Sequence, residues 1–539
     1  MIFKLIIAAL FVVFSLCAGA QVTDPDSTAL HILEPTQRQF TIKQKDGTEL
    51  NILAGTVKLR QGSTLFYCDS CVVNTKTRVF EAFGNVHIND SDTAHIYSDY
   101  LRYLIDPRYA YFTKNVRLTD GKGTLTTNQL EYDVAGKIGT YKNGGRVSNN
   151  RTVITSREGV YYADIRDVYF KRNVEIKDPS HYVKSDSIIY NTETGIARFI
   201  SETYLRDSSG RTIRTREGFY DSRGGRSEFT QRTRIQDGSL IIEGDQIAND
   251  EQSGIVQIRE NGILIDTAQG INILANEIFA NKKTGAYLAT RNPLMIIRQE
   301  SDSMYIKADT LFSARLSDRF KQSDSDSTGE TEAGEEVAGA KKPNGNLMSN
   351  DSTNRYFEAF RNVKIFTDSL QAMSDSLFYS FKDSTFQLFQ DPVVWSNNSQ
   401  VTGDTIYLFT KNKKADRIEV FQNSFLINSK EEGVFNQVKA RQMHGFFTEG
   451  AMDSVLTKGS SESIYFIQDQ DSAYTGINQT SSDAMDVYFA NNELQRIIFR
   501  SSVKGTMWPM SLKTPSEMRL KGFMWLEARR PKTKYDLFE

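Results

Sequence analysis

The chain has 539 residues, of which 24% are charged, with a net charge of −2. So small a net charge excludes a global basic field that would recruit nucleic acid. An aromatic share of 11% with only 10 prolines excludes a chain disordered throughout and favours β-structure.

Met1 to Ala20 reads as an export signal. Lys4 supplies the positive start, Leu5 to Leu16 an apolar run too short to span a bilayer, and Ala18-Gly19-Ala20 a small-residue cleavage site. Cleavage is expected after Ala20, because Leu16 is too bulky before Cys17 for a lipoprotein site. Residues 21–40 read as a linker. Two cysteines then remain, Cys68 and Cys71. Residues three apart on a strand point to opposite faces, so the pair is expected not to meet without a bulge or turn, and Cys71 reads as a small core hydrophobe.

Residues 41–316 carry a phrase, Asp-x-Leu-x-Tyr, that recurs at about thirty residues, the mark of a stacked repeat. Copies are Asp99-Leu101-Tyr103, Asn128-Leu130-Tyr132, Glu158-Val160-Tyr162, Asp186-Ile188-Tyr190, Asp245-Ile247-Asn249 and Asp309-Leu311-Ser313. A second phrase follows, as in Phe112 to Asp120 and Phe170 to Asp178, with Asn115-Val116 and Asn173-Val174 at its centre. Alternation places Asp99, Leu101 and Tyr103 on one face and Arg102 on the other. Turn signals such as Asp106-Pro107 and Asn191 to Gly195 separate the strands. One repeat is therefore two antiparallel strands, and the Asn before Val marks a kink, since Asn tolerates left-handed and bulge geometry. Bent strands stacked in this way enclose a V-shaped trough. The fold class expected is all-β, an elongated antiparallel jellyroll, taco-like in section, built from stacked two-strand repeats.

Residues 317–353 are acidic and rich in Ser and Gly, and read as a disordered insertion within one repeat. The repeats resume over 354–506, with Asp375-Leu377-Tyr379 and Asp404-Ile406-Leu408. Residues 507–539 break the pattern and hold Trp508 and Trp525, so they read as a cap or docking tail. The N-terminal edge near Leu50 to Leu59 is expected to lie open and to accept a strand from another protein.

A carboxylate repeated in every unit serves the fold more simply than it serves catalysis or an ion. No Gly-rich phosphate loop, nucleophile elbow or Ser/His/Asp set is present, so no catalytic residue and no cofactor are expected. His87 and His95 flank the turn at Asn89 to Thr93, where a hairpin would let them face one another, with no third ligand spaced to complete a metal site. Arg206 to Arg234 is arginine-rich, and Arg211, Arg214 and Arg216 form a possible phosphate rim beside a solvated-face reading.

Phe83-Gly84-Asn85-Val86-His87-Ile88 followed by Tyr97-Ser98-Asp99-Tyr100-Leu101-Arg102-Tyr103, with the alternation of both phrases from about Leu53 to Arg500, resembles the OstA-like (organic solvent tolerance) family. These are periplasmic β-jellyroll proteins of lipopolysaccharide transport, of the LptA type. The resemblance implies a non-enzymatic periplasmic carrier or bridge that holds acyl chains of lipopolysaccharide or a related amphiphile on its way to the outer membrane. Its groove would be lined by Leu101, Tyr103, Val116, Leu118, Leu130 and Tyr132, and further along by Val160, Tyr162, Val174, Ile176, Ile188 and Tyr190. Other jellyroll components of that system, joined through strand edges, and an outer-membrane translocon are the implied partners, with no nucleic acid. The chain departs from the small members by being several times longer. The alternative is a structural or adhesive surface β-solenoid without lipid cargo.

Overall fold

A computed structural model describes residues 29–149, 151–298, 303–319, 354–411, 414–448 and 450–538. The expected signal at 1–20 and all but the first three residues of the 317–353 insertion lie outside them. The regular secondary structure of the described residues is almost all strand, with a helical turn at 316–319 and short 3-10 turns at Glu527–Arg529 and Asp536–Phe538. The chain divides into two compact units, 1–208 and 209–539.

In the first unit, β1 (His31–Ile32) and β2 (Arg38–Lys43) pair with β3 (Glu49–Gln61). Two strands thus lie at or inside the stretch expected as linker, and the edge expected near Leu50 to Leu59 is covered. β4 (Thr64–Asn74), β5 (Val79–Asp90), β6 (Ala94–Leu104), β7 (Tyr109–Thr119) and β8 (Thr124–Asp133) follow, each antiparallel to the one before. Side-chain carboxylates and amides close the turns. Asp133 Oδ1 accepts from the Ala135 and Gly136 amides, both at 2.9 Å, and Asn191 Oδ1 from Glu193 and Thr194 at 3.0 and 2.7 Å.

Each long strand bends at its middle. Between β5 and β6 the register passes from Phe83–Tyr100 to Val86–Ser98, so that Gly84 and Asn85 together stand opposite Asp99. Both are left-handed, at φ 70° and 44°, as are Lys114 and Asn115 at 66° and 51° in the next rung. On β6 the bend reverses the alternation at Asp99, while on β5 the extra residue restores it, so that Ala82 and Val86, four apart, are both buried. Ser98 and Leu101, three apart, are both buried, while Asp99 is exposed. The expectation that Asp99 shares the face of Leu101 and Tyr103 is corrected by this bend.

The periodic aspartates hold the corner. Asn85, Asn115, Asn261, Asn362 and Asn423 donate to Asp69, Asp99, Asp245, Asp309 and Asp404 at 2.9, 2.7, 2.6, 3.1 and 3.0 Å. A left-handed non-glycine residue costs about 1–2 kcal/mol. A hydrogen bond to a carboxylate returns about 1.5–3 kcal/mol where shielded and less where exposed. Asp99→Ala is therefore expected to lower unfolding stability by about 1 kcal/mol, against about 2–5 kcal/mol for Leu101→Ala. Urea denaturation of both variants checks this, and an Asp99→Ala protein as stable as the parent would remove the ladder from the account.

The bend divides the strands into two facing half-sheets. The A half carries Leu59, Phe66, Ile88, Ile96 and Leu118 inward, and the B half Leu53, Phe80, Leu101 and Phe112, all buried. Phe66 of the A half meets Phe80 and Tyr103 of the B half at ring-centroid distances of 5.2 and 4.8 Å, so the core lies between them. Directly after β8 the bend becomes a break, until Asp167–Lys177 and His181–Asn191 again run bent and unbroken. Ile138–Tyr141 continues the B half, and Gly145–Asn149 the A half.

The second unit repeats the bent pair, as in Ile255–Asp266 with Ile271–Asn281 and Arg355–Phe366 with Leu370–Ser380. Its last segment is neither a free tail nor a cap on the last rung. Beyond Lys504–Pro509, which pairs with Tyr474–Ser482, the chain runs as a strap over its own unit. Gln437 grips it both ways, donating to Met518 O at 3.0 Å and accepting from Leu520 N at 2.9 Å. Gln400 does the same with Met524 O at 2.8 Å and Leu526 N at 2.7 Å. Met518 and Leu520 pack with Phe425, Ile427, Phe435 and Ile464, and Leu537 with Leu294 and Phe366. Every residue of Val393–Ser396 is consequently buried.

Candidate functional site

The interior of the first unit gathers most of the residues expected in a groove. Leu101, Tyr103, Val116, Leu118, Leu130, Tyr132, Val174, Ile176, Ile188 and Tyr190 all point inward, and none is more than 8% exposed. Val160 and Tyr162 do not join them. Tyr162 is 38% exposed, and Tyr161 is buried in its place. The reason is a register one residue off. Arg157 N donates to Arg172 O at 2.9 Å, as Asp245 N does to Glu260 O and Asp309 N to Arg361 O at 3.0 and 3.1 Å. Arg157, not Glu158, thus occupies the aspartate slot, and the inward file runs Gly159, Tyr161, Ala163. Gly159 stands in the leucine slot because a Cβ there would come within 2.4 Å of the Tyr141 ring.

Tyrosine hydroxyls close the open side of the V, opposite the asparagine corner. Tyr103, near the end of the B half, donates to Gln61 Oε1 at the end of the A half, at 2.6 Å. Tyr132 donates to Asp90 Oδ2 at 2.8 Å, and Tyr161 to Asp120 Oδ2 at 3.0 Å. Each acceptor is further held. Gln61 Nε2 donates to Ile105 O at 3.0 Å, Thr64 to Asp90 Oδ1 at 3.0 Å, and Thr192 to Asp120 Oδ2 at 3.0 Å. Burial pushes the Tyr103, Tyr132 and Tyr161 phenols well up, and the neighbouring Asp90 and Asp120 carboxylates reinforce this at Tyr132 and Tyr161. Burial opposes ionisation of Asp120, but bonds from the Gly123 and Lys122 amides, Thr192 and Tyr161 hold its carboxyl below the usual range. No local pattern in the sequence marks these acceptors, although the aspartate ending Val-x-Ile-x-Asp lies 42 residues before its tyrosine in the Asp90–Tyr132 pair.

Two spaces bear on what the interior can hold. A cavity of about 20 Å³ lies between Leu118, Leu125, Val147 and Tyr161. That is room for one water and not for an acyl chain. A cleft of about 320 Å³ opens at the N-terminal end, lined in part by Leu30, Ile32, Leu53, Leu59 and Ile105. Its apolar wall is continuous with the core residues Leu53 and Leu59.

The remaining candidates stand apart. Arg214 and Arg216 are exposed on the side of their strand opposite buried Ile213 and Thr215, so strand alternation turns the possible phosphate rim away from the interior. Arg211 pairs with Glu251 at 3.2 Å. His87 Nε2 and His95 Nδ1 do face one another, at 3.2 Å. Burial, with His95 and Arg117 nearby, holds the His87 imidazole below its ordinary range. His87 stacks on Tyr97 at 4.3 Å, with Arg117 over the same tyrosine at 4.2 Å.

Residues 31–186 match the family model described as OstA-like protein. Among solved structures, LptH of Pseudomonas aeruginosa, the LptA-homologous periplasmic component of its lipopolysaccharide transport device, is similar at 16% identity. The match covers 19% of this chain and 79% of LptH, with a TM-score of 0.18. No curated protein matches the chain.

Proposed function

On the premise that residues 31–186 are an OstA-like domain, we propose that this chain is a non-enzymatic periplasmic carrier or bridge for lipopolysaccharide or a related amphiphile on its way to the outer membrane. The observation that carries this reading is the continuous apolar file between the two half-sheets, closed along its open side by three tyrosine hydrogen bonds and, at the first rung, by the packing of Phe66 on Tyr103. An acyl chain of about twelve carbons gains roughly 9–10 kcal/mol on leaving water, at about 0.8 kcal/mol per methylene. Opening three tyrosine bonds to Gln61, Asp90 and Asp120 costs about 1–3 kcal/mol each. The two are comparable, so a lipid can part the half-sheets rung by rung, beginning at the apolar cleft beneath β1.

Photo-crosslinking residues placed at Leu101 and Ile188 are expected to capture lipopolysaccharide in cells, and one at outward Arg102 to capture much less. Equal labelling at all three positions would count against a groove. The filled interior favours the second reading, a surface β-solenoid without cargo. Lipid A copurifying with the protein decides between them.

The proposed partners attach at the edges. β2 has no strand neighbour other than β3 among the described residues, and its Phe40 and Ile42 are 49% and 45% exposed. Such an edge accepts a strand from another jellyroll component. Contact with an outer-membrane translocon belongs to the same proposal.

A further inference from the structure

The bend in β4 brings together two side chains that strand alternation would separate. β4 changes register with β5 between Tyr67 and Ser70, and β3 with β4 between Ala54 and Val57. Cys68, opposite Val57, and Cys71, opposite Leu53, therefore both face the interior, 6% and 0% exposed. Both are free and buried in the structure, and the neighbouring Cys71 thiol, with burial, pushes the Cys68 thiol up. The expectation that they point to opposite faces is overturned, and for the reason that places Ser98 and Leu101 on one face in the next rung.

The first rung differs from its successors at this slot. Ser98 Oγ donates to Tyr100 O at 3.0 Å, and Ser185 Oγ to Ser187 O at 3.3 Å, a bond that ties each corner to itself. A thiol is a weak donor and a poor substitute for that bond. Cys68 is instead paired with a second thiol at the leucine slot. Besides Cys17 in the expected signal, the sequence holds no other cysteine, so neither thiol has a competing partner within the chain.

We propose that Cys68 and Cys71 form an intrachain disulfide in the exported protein, a covalent staple that replaces the serine bond at the corner nearest the N-terminal edge. The thiolate of one cysteine attacks the disulfide of an oxidising dithiol protein and releases one of its thiols. The second cysteine displaces the other, so two protons and two electrons leave the pair and the oxidant departs as a dithiol. Burial requires that this exchange precede closure of the corner, and afterwards protects the bond from reductants. The inference rests on the export reading and not on lipid binding.

The test uses the full chain, expressed with its signal, quenched in acid, denatured and treated with a maleimide. Protein from the cell envelope is expected to carry no maleimide and to weigh about 2 Da less than the reduced chain, the mass of two hydrogens. Prior reduction is expected to open both cysteines to labelling. Two labelled cysteines without reduction, or disulfide-linked dimers, overturn the proposal. Refolding the purified chain with glutathione disulfide tests the geometry apart from location. An internal bridge is expected, and glutathione on both cysteines overturns it. Hydrogen exchange over residues 53–72 is expected to be faster in parent protein reduced while denatured and then refolded than in the disulfide form, and to be unaffected by the same treatment in a Cys68→Ser/Cys71→Ser protein. Equal response in the two would show that the bond is no staple.

Discussion

Raising the pH from 10 to 12 is expected to unfold the first unit in one cooperative step. Tyr141 is pushed up to about 12 from 10.0 by burial, and Tyr103, Tyr132 and Tyr161 are also raised, first by burial. Below the ordinary phenol range both states hold these protons, so the stability is complete. Between that range and the raised values only the unfolded chain ionises, the folded state binds more protons, and stability falls as pH rises. Each such phenol contributes a slope of about 1.4 kcal/mol per pH unit, so four give about 5 kcal/mol per unit. Over the two pH units this removes about 10 kcal/mol, the middle of the usual domain stability of about 5–15 kcal/mol. Circular dichroism and tyrosinate absorbance should therefore change together. Gradual ionisation of all tyrosines with the β signal intact would mean that the phenols are not held between the half-sheets. Tyr132→Phe should make the alkaline transition less steep. At neutral pH it should cost about 1–3 kcal/mol, because Asp90 keeps only Thr64 as a partner.

Removing residues 510–539 is expected to destabilise the second unit severely and leave the first unchanged. Met518, Leu520 and Leu537 are each 5% exposed or less, and burying three such side chains contributes about 5–9 kcal/mol. The face uncovered is apolar and includes Trp395, so the truncated protein should aggregate and its tryptophan emission should shift to the red. Gln400→Ala and Gln437→Ala each release two backbone groups of the strap and should cost about 1–3 kcal/mol apiece. An unfolding midpoint unaltered by the truncation would reduce the strap to a bystander. It would then revive the docking tail that the sequence alone suggests.

The contrast between Leu101 and Val160 shows where pattern reading succeeds and where it stops. Period-two alternation is a local property of a strand, so Leu101, Val116, Leu130 and Ile188 were legible as interior once the phrases were aligned. The same alternation fails across the bend on the strands that carry the aspartate, because Asp99 alone spans what two residues span on each neighbouring strand, and every side chain beyond it is inverted. Asn115 announced that a kink exists but not how many residues it takes up. The aspartate and the leucine of one phrase thus ended on different faces, and so did Cys68 and Cys71 on the same one. Where the leucine slot was filled by Gly159, nothing local revealed the register, since that glycine is dictated by the ring of Tyr141 on a neighbouring strand.

What the sequence by itself determined is the repeat, its bent antiparallel strands, the turns closed by Asp133 and Asn191, and the apolar file. All follow from contacts within a strand or between adjacent strands. What only the tertiary structure decided are the Tyr132–Asp90 closure, the thiol pair, and the strap gripped by Gln400 and Gln437. These contacts join opposite half-sheets, opposite sides of a corner, or segments more than a hundred residues apart. Their partners are chosen by the geometry of the bend, and no periodicity along the chain encodes that geometry.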